Sequence, residues 1–154
     1  ESYDKSLPGE DIAKMISEKK AESYKATMYS DELIITADTI VYVDGEVLGK
    51  PQNKIDAARM LKMISGKCHD VITGVCLLTS NKRISFSVKT KVSFAQITDD
   101  EISFYIENYK PYDKAGAYGI QEWIGYIGVD SIQGSYFNVM GLPVQRLYSE
   151  LKNI

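Results

Sequence analysis

The stretch Leu33-Ile34-Ile35-Thr36-Ala37-Asp38-Thr39-Ile40-Val41-Tyr42-Val43 constrains the fold of this chain more than any other. A near-continuous run rich in Ile and Val reads as a strand buried on both faces of a sheet. One carboxylate, Asp38, sits in its middle. A charge in that setting loses hydration worth several kcal/mol unless it is paired, hydrogen-bonded or metal-bound. Either Asp38 finds a partner within the sheet, or the strand frays at Ala37 and lets Asp38 face a cleft. The pattern alone leaves both a working and a structural carboxylate open.

The neighbouring segments supply the rest of the sheet and its cover. Pro8-Gly9-Glu10-Asp11 opens a helix with acids in its first turn, where the helix dipole favours them. Ile12, Met15 and Ile16 mark its inward face, and Lys19 and Lys20 stand near the following turn, where a solvated pair is the ordinary reading. Asp44-Gly45 predicts a tight hairpin turn to Glu46–Leu48. Pro51 restricts Lys50 to an extended conformation at the mouth of that hairpin. Residues 54–65 read as an amphipathic helix with Ile55, Ala58, Leu61 and Ile64 at helical spacing, stopped by Gly66. His69–Thr79 is a second apolar strand. Residues 83–95 alternate strictly, with Ile84, Phe86, Val88, Thr90, Val92 and Phe94 on one face, which predicts a long antiparallel strand with one wet side.

Thr98-Asp99-Asp100-Glu101 is a capping box for a helix carrying Ile102, Tyr105, Ile106 and Tyr109. Residues 123–139 alternate apolar and small residues and read as strands joined near Asp130 and Gly134. Gly141-Leu142-Pro143 leads into a last helix with Val144, Leu147, Tyr148 and Leu151 on one face. No repeat or linker interrupts the 154 residues, so one mixed α/β domain is the economical expectation.

Composition narrows the function classes. Charged residues make up 25% and the net charge is -3, which argues against a broad nucleic-acid surface. No run approaches the ~20 apolar residues of a membrane-spanning helix. Cys68 and Cys76 lack metal-ligand spacing and read as free thiols of a cytoplasmic protein. His69 is the single histidine, without ligands at metal spacing, and reads as structural.

Four features carry chemistry: Asp38, Lys50 held by Pro51, Lys20 at a helix end, and the Gly-rich stretch Tyr112–Gln121. A carboxylate with two lysines is the minimum kit for phosphoanhydride chemistry, because lysines neutralise phosphate oxygens while the carboxylate binds a divalent ion or takes a proton from water. The Gln121 amide offers one acceptor and two donors, suited to the edge of a base. Each piece also has a bland reading, a surface lysine beside a turn or an amide closing a strand end.

Together the pieces resemble the Maf family of nucleotide pyrophosphatases. The matching stretches are Ala37-Asp38-Thr39, Asp44–Pro51, Ser65–Val71, Asp113–Gln121 and Gly134–Pro143, in the family's order across nearly the whole chain. The resemblance implies an α/β fold of the Maf and inosine-triphosphatase kind, with a long twisted mixed sheet, flanking helices and two lobes around a cleft, and frequent dimerisation. It implies hydrolysis of a nucleoside triphosphate to the monophosphate and pyrophosphate with Mg²⁺ or Mn²⁺.

By position, the resemblance makes Asp38 the general base, Lys20 and Lys50 the phosphate-holding lysines, and Glu1 an acid that joins Asp38 in the metal and water site. Thr39 and Gln121 match positions that shape base selectivity. The Thr after the Asp, with the Tyr-Gly-Ile-Gln ending, resembles the subgroup acting on dTTP and UTP, with CTP or modified pyrimidine nucleotides as further candidates. The alternatives are a regulator of septum formation with little turnover and a 7-methyl-GTP pyrophosphatase. Two departures stand out. Glu122 replaces a glycine usual after the Gln, and the family's opening strand and Ser-x-Ser-Pro-Arg-Arg loop do not occur in these residues. That loop would bind phosphate at a helix N-terminus. A chain lacking that strand is expected to leave a sheet edge unpaired.

Overall fold

The elements follow the apolar periodicities closely. In chain order they are α1 (Gly9–Glu22), β1 (Ile34–Val43), β2 (Glu46–Leu48), α2 (Lys54–Ile64), β3 (Cys68–Leu78), β4 (Arg83–Phe94) and α3 (Asp99–Tyr109). A single 3-10 turn (Ala115–Ala117) precedes α4 (Trp123–Gly128), β5 (Val129–Gln133), α5 (Tyr136–Met140) and α6 (Val144–Leu151). The computed structural model describes residues 3–154. Its five strands form one sheet in the order β2-β1-β3-β4-β5, and every pairing is antiparallel. The α/β architecture of a sheet flanked by helices is as expected. The sheet is antiparallel throughout the described residues where the resemblance implied a mixed one, because neighbouring strands, joined directly or through intervening elements, pair in opposite directions.

Strand alternation sorts the core into two sides of the sheet. On one, Ile40 and Ile72 pack against Ile12, Ala13 and Ile16 of α1. On the other, Val41, Val43, Val71, Val92 and Phe94 pack against α2, α3 and α4. Val75, Leu77 and Phe86 continue that side beneath Leu147 of α6.

Burial on both faces belongs to β3, the central strand, rather than to β1. Every residue from Val71 to Leu78 is buried, whereas Leu33, Ile35 and Tyr42 are exposed. The reason is position in the sheet: β2 pairs only with Val41–Val43 of β1. Among the described residues, no strand covers the edge of β1 before Val41. Nor does β1 fray at Ala37, since Ala37↔Val75, Asp38↔Gly74 and Thr39↔Thr73 are consecutive pairs of an unbroken ladder.

Three helical expectations change. The stripe of α2 is Ala57, Met60, Leu61 and Ile64. Ile55 lies roughly 200° around the helix from Ala57 at 3.6 residues per turn, and is 83% exposed. On α6 only Leu147 is buried, while Val144 and Tyr148 point outward. Residues 123–139 form one short strand between two short helices instead of successive strands. In α4 the buried residues Ile124 and Gly128 are one helical turn apart. In α5 the Ser135 hydroxyl accepts a hydrogen bond from Asn138 N at 3.1 Å, a side-chain cap that turns the chain into a helix.

Candidate active site

Asp38 is placed by the crossing of α1 over the sheet. Its pairing partner across the ladder is Gly74. A Cβ on Gly74 would sit 2.2 Å from the Ala13 carbonyl carbon, so α1 rests directly on β3 there. Two helical turns beyond Ala13, Lys20 reaches Asp38. Its Nζ donates to Asp38 Oδ1 at 2.7 Å and to the Ala37 carbonyl at 3.3 Å. The two side chains are 35% and 13% exposed, so the pair is partly desolvated and opens on solvent at one end. Among the described residues Asp38 finds its partner in Lys20, on an unbroken strand.

Thr39 points to the opposite side of the sheet, where its Oγ1 lies 2.8 Å from Thr73 Oγ1. Thr73 is fully buried and donates to the Asn138 carbonyl at 3.2 Å. Asn138, fully buried as well, donates through Nδ2 to the carbonyls of Val71 and Val88 and to Thr90 Oγ1. These bonds seat α5 and the turn at Gly141 beside Thr39.

Lys50 and the Gly-rich stretch form the facing wall. Gly116 N donates to the Gly49 carbonyl at 3.1 Å, which ties the residue before Lys50 to this loop. Gly116 has φ +70°, and a Cβ on it would lie 2.7 Å from Val41 Cγ2, so no other residue fits. Asp113 and Lys114 precede it and form an ion pair at 3.3 Å. The Lys114 ammonium, helped by Lys50, holds the Asp113 carboxyl below the usual carboxylate range. Glu122, the residue that departs from the family's glycine, has extended backbone (φ -96°, ψ 178°), which any residue adopts. Its Oε1 accepts from the Tyr105 hydroxyl at 2.5 Å, and that hydroxyl accepts from Gly119 N at 3.0 Å. Burial, with the Glu122 carboxylate beside it, pushes the Tyr105 phenol up and keeps it a donor. His69 lies beneath the loop with Nε2 2.6 Å from the Tyr118 hydroxyl. Burial lowers its pKa to about 4, so at neutral pH it is uncharged.

These walls enclose a cleft of about 360 Å³ lined by Lys20, Asp38, Thr39, Lys50 and Gln121 together. All the site residues read from the sequence converge there except Glu1, which lies outside the described residues. Both faces of β1 reach the cleft because its edge at Ala37–Thr39 borders it. Asp113, Lys114, Tyr118 and Met140 line it too, without having been assigned roles from the sequence. The Asp-Lys pair just before Ala-Gly was the available signal for the first two.

A family profile described as Maf-like protein matches residues 1–154. The chain belongs to the Maf family. It is 61% identical over its whole length to a dTTP/UTP pyrophosphatase of Phocaeicola vulgatus, covering 80% of that protein. It is 57% identical over 153 residues to one of Parabacteroides distasonis, spanning 99% of this chain and 79% of the relative. One of Flavobacterium psychrophilum is 44% identical over 153 residues, 99% of this chain and 78% of that protein.

In this Maf protein no group of three or more His, Cys, Asp or Glu side chains among the described residues could cage a metal ion. A hard cation such as Mg²⁺ needs only one or two protein carboxylates when phosphates and water supply its other oxygens. Asp38, a partly exposed carboxylate at the rim of a lysine-lined cleft, fits a cation shared with a polyphosphate. No helix among the described residues is long and apolar enough to cross a membrane. Cys76 is buried, which pushes its thiol pKa up, and Cys68 is exposed.

Proposed function

We propose that this Maf protein, acting as a single domain over residues 1–154, hydrolyses dTTP and UTP to the monophosphate and pyrophosphate. The observation that carries the reading is the convergence of Lys20, Asp38, Thr39, Lys50 and Gln121 on one cleft. Relatives at 44–61% identity that are dTTP/UTP pyrophosphatases support the pyrimidine nucleotide as substrate.

In the proposed mechanism Asp38 accepts a proton from the water that attacks the α-phosphorus. The bond from that phosphorus to the bridging oxygen breaks, and its electron pair leaves with pyrophosphate. Lys20 holds Asp38 in position and meets the phosphate chain at the same corner. Lys50 and Lys114 neutralise the leaving group from the facing wall. Three lysines against Asp38 and Asp113 give the cleft a formal charge of +1 (3 − 2), complementary to a polyphosphate. Glu1 and Asp38 are the proposed oxygen ligands of a divalent cation, Mg²⁺ or Mn²⁺, which when bound would neutralise phosphate charge and acidify water. Thr39 and Gln121 read the base.

The test is pyrophosphate release from a panel of nucleoside triphosphates with Mg²⁺ or Mn²⁺, for wild type and Asp38→Asn. Turnover of dTTP and UTP is expected in wild type, falling by at least about 100-fold in the variant while nucleotide binding persists. No release from any nucleotide by the wild type would overturn the reading.

A further inference from the structure

We infer that Thr73 is a positioning residue that turns the Thr39 hydroxyl into a fixed hydrogen-bond acceptor facing the cleft, selecting bases that present an N–H there. The inference rests on the pyrimidine triphosphate reading above.

The argument is one of proton accounting. A threonine hydroxyl has one proton and two lone pairs. Thr73 is fully buried, and its Oγ1 has two partners, the Asn138 carbonyl at 3.2 Å and Thr39 Oγ1 at 2.8 Å. A carbonyl only accepts, so the Thr73 proton goes to Asn138. Pointing it at Thr39 instead would leave two oxygens facing each other lone pair to lone pair at 3.2 Å. Thr39 must then give its own proton to Thr73, and what it offers the cleft is a lone pair. The chain cannot easily reverse, because the two N–H groups of the Asn138 side-chain amide are shared among three acceptors on β3 and β4 that hold the residue in place. Thr39 and Thr73 are direct neighbours across the ladder, so neither can drift from the other.

An acceptor at Thr39 has a chemical consequence. Thymine and uracil carry an N–H at ring position N3, whereas cytosine carries a lone pair there. A base that points its lone pair at Thr39 leaves two acceptors opposed, a mismatch that a site built for a donor rejects strongly. Selection for thymine and uracil over cytosine therefore depends on a residue that never touches the substrate.

The experiment compares kcat/KM for UTP and CTP in the full-length protein, with wild type, Thr73→Val and Thr73→Ser. Val keeps the shape and removes the inward acceptor, which frees the Thr39 proton to point into the cleft. The expected result is a fall of about tenfold in the UTP-to-CTP ratio, with kcat/KM for CTP itself rising. Thr73→Ser, which keeps the hydroxyl, is expected to hold the ratio within about twofold of wild type. A purely structural defect lowers both substrates in parallel, and that outcome in a folded Thr73→Val protein would overturn the assignment. Should Val at 73 fail to fold by circular dichroism, Thr73→Ala makes the same comparison with a smaller side chain. Wild type that turns over neither UTP nor dTTP would instead overturn the pyrophosphatase reading, and this inference with it.

Discussion

At the scale of single residues, His69 carries a charge consequence independent of catalysis. Burial holds its folded pKa at about 4, against an ordinary value of 6.5. Between those values the unfolded chain binds a proton that the native state refuses, so native stability falls as pH falls. The contribution is complete above pH 6.5 and is lost as pH falls toward 4, ~3 kcal/mol in all. Urea denaturation at pH 7 and pH 5 should show the wild type losing about 2 kcal/mol more than His69→Gln. Equal losses in both proteins would show that His69 is not the group responsible. Asp38 and Lys20 illustrate a different residue-scale point. The sequence shows a carboxylate in need of a partner, and the ion pair at 2.7 Å supplies one 18 residues away only because a helix brings it there.

Among the elements, the contact of α1 with β3 decides where Lys20 ends. It depends on Gly74 having no side chain, since a Cβ would lie 2.2 Å from Ala13 backbone. Gly74→Ala should therefore lift α1, lower stability by about 1–3 kcal/mol or more, and reduce pyrophosphate release as Lys20 moves off Asp38. Gly49→Ala is the control, because a Cβ there meets nothing within 4 Å. A thermal melt and an activity assay on both variants check this; native stability and full turnover in Gly74→Ala would refute it. Element-level reading of the sequence succeeded where one periodicity ran long. The capping box of α3 formed with both reciprocal bonds, and β4 formed from Arg83 to Phe94 with burial that alternates from Lys89 onward. It failed at 123–139, where elements of five or six residues are too short for a period to emerge and a serine cap and a ladder edge decide instead.

For the whole molecule, the cleft lies where the Ala37–Thr39 edge of β1, α1, the Lys50 turn and the Gly-rich loop meet. A cation taken up with the nucleotide, rather than caged by the protein, has a measurable signature. EDTA should abolish pyrophosphate release, and added Mg²⁺ should restore it. The melting temperature of the nucleotide-free protein should stay within about 1 °C, because a ligand that binds weakly to the native state stabilises it little. A drop of several degrees on chelation would point to a resident structural ion instead.

The sequence by itself determined the strands and longer helices, through periodicities that are local properties of the chain, and it named the residue types able to handle phosphate. Motif order carried the family, and with it the roles proposed for Asp38, Lys20, Lys50, Thr39 and Gln121. Only the tertiary structure decided which strand is central, which face of α2 is buried, and that Asp113 and Lys114 share the cleft. It alone placed Thr73 opposite Thr39 with their hydroxyl oxygens 2.8 Å apart. Register and close approach join residues far apart in the chain, and no local pattern encodes which distant side chain will be waiting across the ladder.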